Sequence, residues 1–152
     1  MISEQQQFHG PVFIELAQHS TKPIQVESLK GYYENTAYAI NGVGVFIKHS
    51  SKRMSPWRFS FYKSHQDTIL ELKKIFDDVV VILVCGKDGI CGLDFAELKN
   101  VLNDVHEEIE WIKVERRIKT QYAVSGSDGK LSFKITRDNF LKKILKDDYI
   151  NP

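Results

Sequence analysis

The sequence predicts an α/β (α+β) domain built on a mixed central sheet, and three observations carry that expectation. Residues 79–85, VVVILVC, are an unbroken apolar and mostly β-branched run, the pattern of a strand covered on both faces. Residues 36–40 and 43–48 are β-prone and separated by Asn41-Gly42, the strongest short hairpin signal. Other stretches repeat apolar residues at helical spacing, as in Ile69, Leu72, Ile75 and Phe76, so helices alternate with strands.

The elements follow in order. Residues 11–19 place Pro11 in a first-turn position ahead of good helix formers, which predicts a short helix. The 36–40 and 43–48 strands come next. Residues 57–62 set Trp57, Phe59 and Phe61 against Arg58, Ser60 and Tyr62, a half-buried strand that completes a three-stranded antiparallel meander. Ser64 with Asp67 resembles a capping box, opening a crossover helix that ends near Asp77 and leads to the buried strand 79–85. Residues 86–89 turn into a strand over 90–93, and Asp94 with Glu97 caps a helix carrying Leu98, Val101, Leu102 and Val105. Residues 111–124 are strand-like though charged, 126–129 turn, and 130–135 return as the hairpin partner. A last amphipathic helix covers 138–146, with Phe140, Leu141, Ile144 and Leu145 apolar.

At 152 residues, 42% hydrophobic and 27% charged, the chain is long enough to bury one core, so a single domain over 1–152 is expected. The longest apolar run has seven residues and the N-terminus is polar, which argues against a membrane span and a secretory signal and for a cytoplasmic protein. Cys85 and Cys91 flank a tight turn without further Cys or His at zinc-ligand spacing. Two reduced, partly buried thiols suit the cytoplasm, and a cross-turn disulfide suits an oxidising compartment. The five histidines, His9, His19, His49, His65 and His106, are scattered without an i, i+4 pair. Gly42-Val43-Gly44 lacks a third glycine and a following helix, so it is not a dinucleotide loop.

Charge falls in blocks. The net formal charge is −2 over residues 1–40, +5 over 41–66, −7 over 67–110, +7 over 111–146 and −2 over the last six, which sums to the overall +1. Residues 42–66 contain Lys48, Lys52, Arg53, Arg58 and Lys63 among Trp57, Phe59, Phe61 and Tyr62, with no carboxylate. Cations and aromatic faces together suit a phosphate-rich polymer. Lys52, Arg53, Trp57 and Arg58, extended by Arg116 and Arg117, are therefore the candidate nucleic-acid contacts, with DNA favoured over RNA as the partner. The alternatives are that the aromatic side chains face the core and that the basic and acidic blocks pair across the fold, or across a homodimer, as a non-enzymatic interaction module.

The order of elements, with a lysine near the end of the second strand in Val45-Phe46-Ile47-Lys48-His49-Ser50, resembles the core of the PD-(D/E)xK restriction-endonuclease-like superfamily over about residues 11–105. The C-terminal hairpin and helix, 111–146, lie outside that core. The resemblance implies a nuclease using a divalent metal such as Mg²⁺ or Mn²⁺, with Lys48 as the family lysine, Glu34 as the early carboxylate and Glu15 as the helix acid. Glu15 and Glu34 would then be the metal ligands. The position two before Lys48, where that family carries a carboxylate, is Phe46, which cannot ligate a hard cation. Metal-assisted phosphodiester hydrolysis needs at least two converging carboxylates and a group to position water. Glu4, Glu15, Glu27 and Glu34 are the acids of residues 1–66, and Glu15 with Glu34 is the pair that fits the expected elements. Otherwise Glu15 is a solvated helix residue and Glu34 borders a strand.

Overall fold

The computed structural model describes residues 1–32, 36–105 and 108–151. The described residues form an α+β fold with one mixed and one antiparallel sheet. Helix α1, Glu4–Gln18, begins well before Pro11, which falls inside it. The start signal is a capping box: the Ser3 hydroxyl accepts the Gln6 N–H at 3.1 Å, and the Gln6 side chain accepts the Ser3 N–H at 2.8 Å, satisfying two otherwise orphaned donors.

Strands β1, Val26–Ser28, β2, Ala37–Ile40, and β3, Val43–Ser50, form an antiparallel meander. Asn41 and Gly42 join β2 to β3 with φ of 49° and 79°, both in the left-handed region that a two-residue hairpin of this kind requires. The expected meander placed residues 57–62 beside β3, and here the structure corrects it. Strand β4, Trp57–Tyr62, leaves for the second sheet, because the free edge of β3 is taken in parallel by β5, Val79–Cys85. A strand has two edges, and the all-apolar β5 must lie in the interior of a sheet covered on both faces. Strand β6, Gly89–Asp94, pairs antiparallel with β5, so the mixed sheet runs β1-β2-β3-β5-β6.

The crossover from β3 to β5 contains β4 and helix α2, Lys63–Ile75. This helix begins at Tyr62, whose N–H is accepted by His65 Nδ1 at 3.1 Å, not at the expected Ser64. Helix α3, Phe95–Val101, carries the expected Asp94–Glu97 capping box, and helix α4, Asn139–Leu145, lies within the expected 138–146 span. The second sheet is antiparallel in the order β4-β7-β8-β9, with β7 at Ile109–Glu115, β8 at Ala123–Gly126 and β9 at Gly129–Lys130. The hairpin partner expected over 130–135 is a regular strand at its start and pairs again at its end, where Ile135 and Tyr122 exchange backbone hydrogen bonds at 2.8 and 2.9 Å.

Alternation along β3 and β5 divides the core. Val45, Ile47, Val80 and Ile82 face α1 and α4 through Val12, Leu16, Phe140 and Ile144. Phe46, Val81 and Leu83 face α2 and the inner side of the second sheet through Ile69, Leu72, Trp57, Phe59 and Phe61. The two sheets therefore share one apolar layer. Among the described residues, no helix is long and apolar enough to cross a membrane.

Candidate nucleic-acid interface

Strands β3 and β5 end together, with the Gly86 N–H donating to the Ser50 carbonyl at 2.8 Å. Ligands of open α/β sheets collect outside such carboxyl ends. Residues 51–56 fold back over the 86–88 turn, and Trp57 Nε1 holds them there by donating to the Lys52 carbonyl at 2.8 Å. Gly86 has φ of 55°, and a Cβ on it would lie 2.3 Å from the Lys52 oxygen. Only glycine permits that approach. Ser55 Oγ in turn accepts the Arg116 N–H at 3.0 Å, so segments far apart in sequence converge on one corner.

Asp88 lies at the centre of that corner. Arg116 donates to it through Nε at 2.8 Å and Nη2 at 2.5 Å, Tyr122 donates its hydroxyl at 2.8 Å, and Arg137 Nη2 lies 3.6 Å away. The Arg116 hydrogen bonds, helped by Tyr122 and Arg137, hold the Asp88 carboxyl below the usual carboxylate range against the opposing effect of burial. Burial first, then the bond to Asp88, pushes the Tyr122 phenol up. Exposed Arg53 and Lys87 border a hollow of about 680 Å³ together with Phe8, Ser51 and Asp88. Phe8, Lys87 and Asp88 also line a neighbouring cavity of about 590 Å³ that reaches Glu15 and Arg137.

The two basic segments thus meet, though not with every expected residue. Lys52 is exposed and donates Nζ to the Pro56 carbonyl at 3.0 Å; Arg53 and Arg117 are exposed. Arg58 is exposed too, on the outer face of β4, with its guanidinium 5.7 Å from the centre of the Trp111 ring. Two residues are corrected. Trp57 is 2% exposed and fills the layer between the sheets, so its ring cannot receive a base. The Arg116 guanidinium is turned inward, to Asp88 and to the Arg117 and Thr120 carbonyls, and serves the fold in place of a phosphate.

The expected reaction site is not assembled by Glu15 and Lys48. Lys48 shares the side of β3 that carries Phe46, with Nζ 3.5 Å from His65 Nδ1 and 5.3 Å from the Phe61 ring centre. Glu15 lies across the sheet on α1, beside His19 at 3.6 Å. Glu34, the other expected metal ligand, lies outside the described residues. Among the described residues, no cluster of three or more His, Cys, Asp or Glu side chains is arranged to hold a metal ion. Cys85 and Cys91 are free and buried, their thiols pushed up chiefly by that burial, which leaves them poor nucleophiles.

Sequence spacing missed a histidine group. His9 from α1, His49 from β3 and His65 from α2 gather with Lys48 around a cleft of about 360 Å³. The rings of His9 and His49 are 5.6 Å apart, Phe8 stacks on His49 at 5.1 Å, and His49 Nε2 lies 3.1 Å from Glu4 Oε1. His9 is 3% exposed and its Nδ1 has no hydrogen-bond partner among the described residues. Burial, then His49, lowers its pKa to about 4. Three histidines on three elements leave no local pattern; the readable signal was the Ser3-x-x-Gln6 box, which brings α1 far enough forward to carry His9 and Phe8. His106 lies outside the described residues.

Comparison of the chain with family models, with curated proteins and with solved structures finds no match.

Proposed function

We propose that the protein binds nucleic acid, gripping the phosphate backbone at the shared carboxyl end of β3 and β5. One observation carries the reading: Arg53 and Lys87 border one hollow and Lys87 and Arg137 a neighbouring one, and the Asp88 carboxylate common to both is already engaged by Arg116. With Arg116 counted, four cations face the three carboxylates Asp88, Glu15 and Asp138, and the net positive charge of such a cluster attracts polyanions and steers their approach. Lys52 and Arg117 widen it, and the backbone of residues 51–56 and 86–88 supplies further polar groups for phosphate contact.

The reaction implied by the restriction-endonuclease-like resemblance is kept apart from binding. Glu15 and Lys48 lie on opposite faces of the sheet, so the reading supported here is a binder whose contacts do not depend on that pair.

The test is fluorescence anisotropy with labelled oligonucleotides at several salt concentrations. Affinity is expected to fall steeply as salt rises, and Arg53→Ala with Lys87→Ala to reduce the log–log slope by about 0.7–0.9 for each phosphate that is no longer neutralised. Absence of binding at low salt, or a double variant indistinguishable from the parent, overturns the proposal. Incubation of the same oligonucleotides with Mg²⁺, Mn²⁺ or EDTA reports separately on cleavage.

A further inference from the structure

The outer face of the antiparallel sheet carries a second kind of surface. Along β4 the side chains of Arg58, Ser60 and Tyr62 point outward, and along β7 those of Ile109, Trp111 and Lys113 do the same. In register, Arg58 faces Lys113, Ser60 faces Trp111 and Tyr62 faces Ile109. Trp111 therefore sits diagonally between Tyr62 and Arg58, at the cross-strand spacing where large side chains form one surface. Trp111 is 39% exposed and Tyr62 46% exposed. These are costly residues to leave in water unless something covers them.

We infer that this face is a stacking platform for single-stranded nucleic acid, with bases resting on Tyr62, Trp111 and the Arg58 guanidinium. The inference rests on the binding function proposed above and deepens it by naming the strand state of the ligand. The Arg58 guanidinium lies 5.7 Å from the centre of the Trp111 ring, so ring and guanidinium present one combined π-surface beside small Ser60. Aromatic rings and guanidinium planes both accept bases without regard to sequence, because every base has a π-face.

Charge complementarity selects this occupant over an apolar one. Glu115 at the end of β7 is ion-paired with Lys113 at 2.8 Å. Its carboxyl is held below the usual range by that hydrogen bond first, with Arg117 and Arg58 adding to the effect. Lys113 thus pairs directly with the one carboxylate, Arg58 and Arg117 act on it at longer range, and Lys63 follows directly at the start of α2. The platform also joins the phosphate-binding corner, since β4 opens immediately after residues 51–56 and β7 closes immediately before Arg116. A strand whose backbone lies at Arg53 and Arg117 can lay its next bases across Trp111 and Tyr62. A duplex, with its bases stacked inside, can use only the corner.

The test compares a single-stranded DNA and a single-stranded RNA of ~12 nucleotides, a length within the usual site size, with the corresponding duplex. Tyr62→Ala and Trp111→Ala are expected each to weaken single-strand binding roughly ten-fold and to leave duplex binding within about two-fold. Trp57 and Trp111 are the two tryptophans and Trp57 is 2% exposed, so the parent's tryptophan fluorescence is expected to be quenched by either single strand and not by the duplex, and that quenching to be lost in Trp111→Ala. If Tyr62→Ala/Trp111→Ala binds single strands as the parent does while Arg53→Ala/Lys87→Ala fails, the platform is overturned and the phosphate-binding function stands. If no nucleic acid binds, both fall. A concentration-dependent mass abolished by Trp111→Ala assigns the face to a second copy of the chain and also overturns the inference.

Discussion

Arg116 grips Asp88 through two parallel hydrogen bonds, Nε to Oδ2 at 2.8 Å and Nη2 to Oδ1 at 2.5 Å. The fork geometry matches a carboxylate and fixes orientation as well as distance. It joins the end of β7 in one sheet to the β5–β6 turn of the other, so the pair is a clasp between sheets. Each side chain is 16% exposed, which shields the clasp from much of the screening that weakens surface ion pairs.

Asp88→Asn is expected to lower stability at pH 7 by about 1 kcal/mol, through loss of a charge-assisted hydrogen bond partly offset by solvent screening. The acid limb gives the more specific readout. The Arg116 bonds hold Asp88 below its ordinary pKa of 3.8 in the folded state. Its contribution is therefore full above the unfolded value and is lost as pH falls through the folded one. Urea melts between pH 5 and pH 2 should show that loss in the parent and a flatter profile in Asp88→Asn; parallel profiles would count against the clasp.

His9 acts in a different window. Its folded pKa of about 4 lies below the ordinary 6.5, because of burial first and His49 second. Between those values the unfolded chain takes up a proton that the folded chain refuses, so stability falls as pH drops from about 6.5 toward 4. Denaturation at pH 7.5 and pH 5 is expected to show this decline and to show less of it in His9→Gln. An NMR titration finding His9 protonated at pH 5.5 in the folded protein would contradict the assignment.

The elements legible in the sequence are those whose signals are local. Asn41-Gly42 marks the β2–β3 hairpin, residues 79–85 mark the buried strand, and Asp94 with Glu97 marks the start of α3. The alternation in 57–62 correctly orients Trp57, Phe59 and Phe61 inward. It says nothing of which sheet the strand joins, because pairing is decided by competition for the edge of β3. The site was legible in part for the same reason. Charge blocks point to residues 51–58 and 116–117, and the turn at 86–89 was legible too, whereas the approach of Lys87 and Arg137 to that corner and the masking of Arg116 by Asp88 depend on long-range packing, which no spacing encodes. The separation of Glu15 from Lys48 follows from strand parity combined with helix placement, and sequence supplies only the first.

Trp57 connects the core to the interface, and two substitutions separate its roles. Trp57→Ala empties a large buried volume and is expected to cost about 3–5 kcal/mol. Trp57→Phe keeps most of the ring but removes the Nε1 donor to the Lys52 carbonyl, costing about 1–2 kcal/mol. Because that bond anchors residues 51–56, Trp57→Phe should also raise hydrogen exchange at the amides of residues 51–55 and weaken oligonucleotide binding several-fold. Unchanged exchange there would show that the loop is held by other contacts.

Two glycines test whether the position of the cations matters beyond their number. Gly42 and Gly86 both have positive φ, 79° and 55°, yet a Cβ at Gly42 meets nothing within 4 Å, whereas one at Gly86 meets the Lys52 oxygen at 2.3 Å. Alanine at either site incurs left-handed backbone strain of about 1–2 kcal/mol. At Gly86 it must also push residues 51–56 off the turn, carrying Arg53 away from Lys87 without removing a single charge. Gly86→Ala is therefore expected to weaken oligonucleotide binding about ten-fold, the effect of withdrawing one cation from a phosphate, while Gly42→Ala lowers thermal stability alone. Equal effects of the two substitutions on affinity would mean that binding follows net charge, and that the convergence of these segments at the end of β3 and β5 is not what the ligand recognises.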